Sequence, residues 1–228
     1  MPDAPSARGA AAGWRFGRVL LRSLWRVQVV GAERVPRDEP VVLVSNHLGF
    51  LDGPLVFSVG PRPAHFMVKR ELFTGVLGWV LQAVAQIPVD RTTGDRGALG
   101  SALAVLRGGG AVGVFPEGTR GRGDVASVQQ GATWLALQSG ARVVPVACLG
   151  TRRTGRGTGT LPPLRSPVAV VFGEPFRLQP PAGMPGRERL RAATEQLRGH
   201  LADHVAQVSV TTGIALPDEA PLSMRDNG

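Results

Sequence analysis

The 228-residue chain contains no tyrosine, one cysteine and one lysine, and aromatic residues make up only 5% of it. A single cysteine excludes an intramolecular disulfide and fits a reducing compartment such as the cytoplasm. Few aromatics, no tyrosine and no recognised nucleic-acid motif argue against nucleic acid as a partner. Acidic residues are also in short supply: 17 Asp+Glu stand against 26 Lys+Arg, a net charge of +9 carried almost wholly by arginine. Such a surface draws anions, whether acidic lipid or a phosphorylated ligand. The apolar run 72–85 is interrupted by Thr74, Gly75, Gly78 and Gln82, and it falls short of the roughly 20 residues that a bilayer span needs. It is read as a core helix, with a shallow dip into one leaflet or the lining of an acyl groove as the alternatives. No secretory signal stands out.

No internal repeat or low-complexity linker divides the chain, so 228 residues form one domain with a sizeable core. Strand-like apolar runs near 27–31, 40–45, 64–68, 111–115, 142–149 and 167–173 alternate with helix-like stretches near 52–60, 71–85, 95–107, 126–139 and 186–208. That alternation predicts an α/β sandwich whose central mixed, largely parallel sheet is flanked by helices. Residues 1–10 and 211–228 are expected to be disordered, and 27–210 to form the folded domain. Between them, 11–26 predict an amphipathic helix with Arg15, Arg18, Arg22 and Arg26 at helical spacing among Trp, Leu and Val. This pattern suits a helix lying among anionic headgroups, and equally one packed on the domain.

Two short segments carry the chemistry. Asn46-His47-Leu48-Gly49-Phe50-Leu51-Asp52 follows the apolar run 40–45, which places His47 where a buried strand gives way to a turn and Asp52 at the start of a helix. If the turn folds back, the carboxylate fixes the imidazole tautomer and His47 becomes a general base. The spacing alone also fits a capping or core histidine with Asp52 as an N-cap. Phe115-Pro116-Glu117-Gly118-Thr119-Arg120 ends a second strand-like run. Gly118 permits close backbone approach, Thr119 offers a hydroxyl, and Arg120 offers a planar fork for phosphate. By itself this segment also reads as a tight turn with a Glu117–Arg120 ion pair.

Taken together the segments resemble the PlsC-like glycerolipid acyltransferases. Asn46-His47 with Asp52 resembles the first block of that family, Gln86-Ile87-Pro88-Val89-Asp90-Arg91 the second, Phe115 to Arg120 the third, and the apolar Val143-Val144-Pro145-Val146-Ala147 the fourth. The resemblance covers about residues 25–178. It implies that His47 deprotonates an acceptor hydroxyl, that Asp52 is its partner, and that the hydroxyl attacks an acyl thioester. Glu117, Gly118, Thr119 and Arg120 are implied in acceptor binding, with Arg91 a second candidate for the acceptor phosphate. Lys69, the sole lysine, matches a lysine usual in the family at that place.

The implied reaction moves a fatty acyl group from acyl-CoA or acyl carrier protein to a lysophospholipid, with lysophosphatidic acid to phosphatidic acid as the leading case. No cofactor beyond the thioester co-substrate is implied, and the expected location is peripheral, on the cytoplasmic face of the cell membrane. The chain has no Gly-x-Ser-x-Gly elbow to suggest an acyl-enzyme. Cys148 follows an apolar strand and reads as a buried small hydrophobe. His65 reads as structural. His200 and His204 lie four apart on a helix without an evident third ligand, so no metal is assigned. One departure is visible: the family often has a lysine shortly before the glycine that opens the helix after the third block, where this chain reads Val128-Gln129-Gln130-Gly131. That leaves open another lysolipid or an acylated amino acid as acceptor, water in its place, or a non-catalytic protein that binds anionic lipid.

Overall fold

The computed structural model describes residues 7–90 and 95–218. Among these, the chain runs through helix α1 (Ala7–Leu24), strands β1 (Arg26–Val30) and β2 (Val41–Ser45), α2 (Asp52–Val59), β3 (His65–Lys69), α3 (Gly75–Ala83), β4 (Ile87–Val89), α4 (Arg96–Arg107), β5 (Ala111–Val114), α5 (Gly131–Ser139), β6 (Arg142–Leu149), β7 (Pro167–Phe172) and α6 (Gly186–Thr212). The seven strands form one sheet in the order β1-β7-β6-β2-β5-β3-β4. All neighbours are parallel except β6 and β7, so this is the mixed, largely parallel sheet that the alternating pattern predicts.

The central strands are apolar without alternation because both faces are covered. Val41–Ser45 and Ala111–Val114 are buried at every position. On one face Leu103 and Leu106 of α4, Leu135 of α5, and Leu197 and Leu201 of α6 close a core with Val42, Val44 and Val112. On the other, Leu21 of α1 and Leu55, Val56 and Phe57 of α2 pack with Leu43, Phe66 and Phe172. In register, Val44 faces Val114 on one side and Pro145 on the other, so β2 and β5 end at one edge of the sheet, where β6 runs on to Leu149.

Four differences from the sequence reading have local causes. Strand β4 is short, contains Pro88 and pairs only with β3, so it lacked a strand signal. The helix expected over 71–85 shortens to α3 because residues 70–72 form a 3-10 turn. In place of a core helix, α3 buries only Gly78, and Val76 and Trp79 are 80% and 69% exposed. At the ends, α1 starts at Ala7, ahead of the expected 11, and α6 continues to Thr212. Past α6, Ile214 and Leu216 pack on the α4–α6 core, so residues beyond 210 join the domain. Residues 1–6 and 219–228, placed in the expected disordered ends, lie outside the described residues.

Candidate active site

Parallel strands present their carboxyl ends at one edge, where the loops that follow β2, β5 and β6 converge. His47 lies two residues beyond β2, and its chain turns back so that Asp52 opens α2 beneath it. Asp52 is fully buried and its carboxylate gathers five donors. Oδ2 accepts from His47 Nδ1 at 2.8 Å and from the backbone amides of Leu48 and Gly49 at 2.6 and 2.8 Å. Oδ1 accepts a short hydrogen bond from the Thr151 hydroxyl and a weaker one from Cys148 Sγ at 3.6 Å.

A carboxylate that already takes two amides can only accept from the imidazole, so Nδ1 carries a proton and Nε2 carries the lone pair. Phe115 stacks on the ring with centroids 4.1 Å apart, and Phe66 backs Phe115 at 5.6 Å. Asn46, buried beneath His47, donates Nδ2 to Cys148 O at 3.1 Å and accepts from Cys148 N at 2.7 Å, which ties the end of β2 to β6. Asn46 thus clamps the backbone that presents His47.

The loop after β5 closes over this arrangement. Glu117 Oε1 accepts the His47 backbone N–H at 2.7 Å, and Gly121 N donates to His47 O at 2.8 Å, so both peptide groups of His47 are held by one loop. Burial is the main cause that pushes the Glu117 carboxyl up to about 7, opposed by the His47 N–H and assisted by the charges of Asp124 and Asp52. Glu117 therefore braces the His47 loop from within, whereas the sequence grouped it with acceptor contacts. Gly118 turns at φ +76, and its missing side chain leaves room for Gln129, whose Cγ lies 3.3 Å from where a Cβ would stand. Gln129 N also donates to Pro116 O at 2.6 Å.

Thr119 is exposed and Arg120 half-buried, with its guanidinium 5.5 Å from the Phe50 ring centroid. Lys69 ends β3 at the same sheet edge, two strands from β2, exposed and 3.4 Å from Glu71. Arg91 lies outside the described residues, between Asp90 and Asp95. The described ends of that loop meet where Asp95 accepts from Asp90 N at 3.1 Å, caps α4 at Ala98 N and pairs with Arg70 at 2.8 Å.

Several contributors had no assigned role in the sequence. Thr151 and Arg152 follow β6 in a loop that read only as turn formers, and both are buried. Their signal is polar side chains placed directly after a buried strand. Burial holds the Cys148 thiol well up, with Asp52 adding to the effect, which agrees with an inert thiol. Of the other histidines, His65 Nδ1 bonds Ala85 O at 2.7 Å, His204 Nε2 donates to Val171 O at 2.9 Å, and His200 stacks on Phe176. Among the described residues no group of three His, Cys, Asp or Glu is placed to hold a metal.

A family model described as Acyltransferase matches residues 26–149. The chain is 31% identical over 189 residues to the 1-acyl-sn-glycerol-3-phosphate acyltransferase of Bacillus subtilis, covering 82% of this chain and 92% of that protein. It is 37% identical over 126 residues to the human 1-acyl-sn-glycerol-3-phosphate acyltransferase alpha, a match that takes in 53% of this chain and 44% of the human protein. Among solved structures it superposes on the 1-acyl-sn-glycerophosphate (LPA) acyltransferase PlsC from Thermotoga maritima. The TM-score is 0.64 at 25% identity, over 89% of this chain and 79% of that one.

Proposed function

The chain belongs to the acyltransferase family, and from that premise we propose that it transfers a fatty acyl group from a thioester to the free hydroxyl of lysophosphatidic acid, giving phosphatidic acid. The observation that carries the mechanism is the 2.8 Å contact between His47 Nδ1 and a buried Asp52 whose oxygens are filled by fixed donors. With Nδ1 protonated, Nε2 takes the proton of the acceptor hydroxyl as its oxygen attacks the thioester carbonyl. The tetrahedral intermediate collapses, the C–S bond breaks, and the departing thiolate takes the proton back from the imidazolium. Ester and free thiol are released and the base is restored. Asp52 stays ionised and stabilises the imidazolium, an effect that together with base catalysis is worth roughly 10²–10⁴-fold.

Arg120, Thr119 and the Gly118 backbone bind the acceptor phosphate and its neighbouring oxygens, with Lys69 as a further cation at the same edge and Arg91, outside the described residues, as the second candidate that the sequence offers for that phosphate. Glu117 acts on the acceptor indirectly, through the His47 backbone that it holds. The donor enters as a co-substrate, acyl-CoA or acyl carrier protein. The protein works peripherally on the cytoplasmic face of the membrane. Support for a membrane-surface location comes from exposed apolar residues of α1 (Phe16, Val19) and α3 (Val76, Trp79), and from Arg15 and Arg22, exposed on α1. Among the described residues no helix is long and apolar enough to cross a membrane.

The test is thioester consumption by purified protein with lysophosphatidic acid and oleoyl-CoA in mixed micelles, wild type against His47→Ala. Phosphatidic acid formed by wild type, with at least a hundredfold loss in the variant, is the expected result; a loss below tenfold would remove His47 as the base. A neutral Gln129 against the Gly118 turn favours a second reading in which a different lysolipid is the acceptor. A panel of acceptors with one radiolabelled thioester separates the two.

A further inference from the structure

Beside the site, the loop that joins β6 to β7 and the segment that follows α6 enclose an open cleft of about 330 Å³. One wall is cationic and polar, made by Arg153, Thr154 and Ser166; the other is apolar, made by Ile214 and Leu216. Resting on the reading of the chain as a thioester-using acyltransferase, we propose that this cleft seats the adenosine 3′-phosphate end of the donor, and so that the donor is acyl-CoA.

Size, charge and connection each support that assignment. The volume lies at the small end of the roughly 300–1,000 Å³ usual for ligand sites, enough for one nucleotide but not for a lipid tail. An apolar wall facing a guanidinium and two hydroxyls suits a flat base linked to phosphorylated ribose. Arg153 donates to Ser166 Oγ at 3.3 Å, which holds its fork along the cleft wall. Neither Arg153 nor Arg156 forms an ion pair among the described residues, so this loop brings positive charge beyond what Arg120 offers a single acceptor phosphate. Asp218 N donates to Thr154 Oγ1 at 3.4 Å and draws the tail over the loop; its carboxylate, at the rim, is an acceptor for an amino or ribose hydroxyl group.

The connection to the base is short. Arg152 lines the same cleft, and its Nη2 donates to Gly121 O at 3.0 Å. Gly121 N in turn donates to His47 O. In this assignment the extended pantetheine arm of coenzyme A runs from the cleft past this contact, bringing the thioester carbonyl to His47 while the nucleotide stays outside. A carrier protein has no nucleobase for the apolar wall and would meet this region as a surface.

The experiment is calorimetric titration of free coenzyme A and of 3′-dephospho-coenzyme A into the purified full-length protein and its Arg153→Glu and Arg153→Lys variants, with melting curves to verify the fold. Arg153 is exposed, so charge reversal is compatible with folding. The expected result is tenfold or weaker binding of coenzyme A to Arg153→Glu, with Arg153→Lys within threefold of wild type. Dephospho-coenzyme A should bind wild type several-fold more weakly than coenzyme A, and the difference should vanish in Arg153→Glu. Equal binding of the two ligands to wild type, an Arg153→Glu affinity equal to wild type, or no binding at all overturns the site. The titration needs no acceptor, so Arg153-dependent binding without acylation of lysophosphatidic acid would retire the acceptor reading and leave the cleft. Acylation from carrier protein with no coenzyme A binding would do the reverse.

Discussion

Asp52 is the side chain on which the site is built, because every donor around it is fixed by something else. Leu48 and Gly49 amides belong to the turn, Thr151 to the end of β6, and His47 to a backbone held by Glu117 and Gly121. Asp52→Asn cannot satisfy this set, since one of its two atoms becomes a donor facing donors. The imidazole then takes the wrong tautomer, and kcat is expected to fall by roughly 10²–10⁴-fold with KM changed little. Thr151→Val leaves Oδ1 with only the weak Cys148 thiol. An unmade bond at a buried charged oxygen costs about 1–3 kcal/mol, seen as a lower melting temperature and a kcat loss of about tenfold in the thioester assay.

Glu117 gives a prediction with a definite sign. Its carboxyl titrates at about 7 in the folded protein, because burial outweighs the stabilising His47 N–H, against an ordinary value of 4.5. Between those two pH values the folded state holds a proton that the unfolded chain has released, so stability falls as pH rises from about 4.5 to 7 and levels above. Glu117→Gln keeps an oxygen to accept from His47 N and cannot ionise. Melting temperatures taken from pH 4.5 to 7.5 should decline less steeply in the variant. Parallel curves would mean that Glu117 does not hold its proton as the structure implies. The pair His47 and Asp52 was legible in sequence because five positions separate them; the inward role of Glu117 and the hydroxyl of Thr151 were not, since they depend on loops brought together from 70 and 99 positions away.

At the scale of elements, buried strands were readable because a run such as Val41–Ser45 has no other way to bury every side chain. Boundaries and exposure were harder. The apolar composition of α3 reads as core in any sequence, and only the packing reveals that Val76, Trp79 and Val80 face outward. Helix α1 has two apolar sides, one of which packs on the domain. Ala10 and Leu21 are buried toward the domain, while Phe16 and Val19 are 70% and 72% exposed. Close approach on the inner side depends on Gly13 and Gly17, where an added Cβ would collide with Val84 and Ser58. Gly17→Leu must push α1 away from α2, an overpacking that costs about 1–3 kcal/mol. The expected readout is a clearly lower melting temperature with the activity of the remaining folded enzyme preserved; an unchanged melting temperature would show that α1 is only loosely docked.

For the whole molecule, α1 meets the end of α3 where Gly13 lies against Val84, the residue after that helix, so the two helices cover the same face of the sheet. Arg15 and Arg22 are exposed along α1, and Arg18 sits over Trp14 with its guanidinium 5.5 Å from the ring centroid. An anionic bilayer is attracted by each such arginine with about 1 kcal/mol, a contribution that salt screens over a Debye length of ~10 Å at 0.1 M. Apolar insertion is not screened, so the two contributions separate by ionic strength. In vesicle flotation, wild type should bind vesicles containing phosphatidylglycerol more than pure phosphatidylcholine, and raising salt to about 0.5 M should narrow that difference. Trp79→Glu should weaken binding at both salt concentrations and on both lipids, whereas an Arg15→Gln, Arg22→Gln double variant should lose only the salt-sensitive part. Both variants lie away from the His47 loop, so turnover of substrates in detergent micelles should survive while turnover on vesicles falls. If Trp79→Glu binds vesicles as wild type does, this face is not the one that meets the membrane, and the exposed apolar residues of α1 and α3 await another cover.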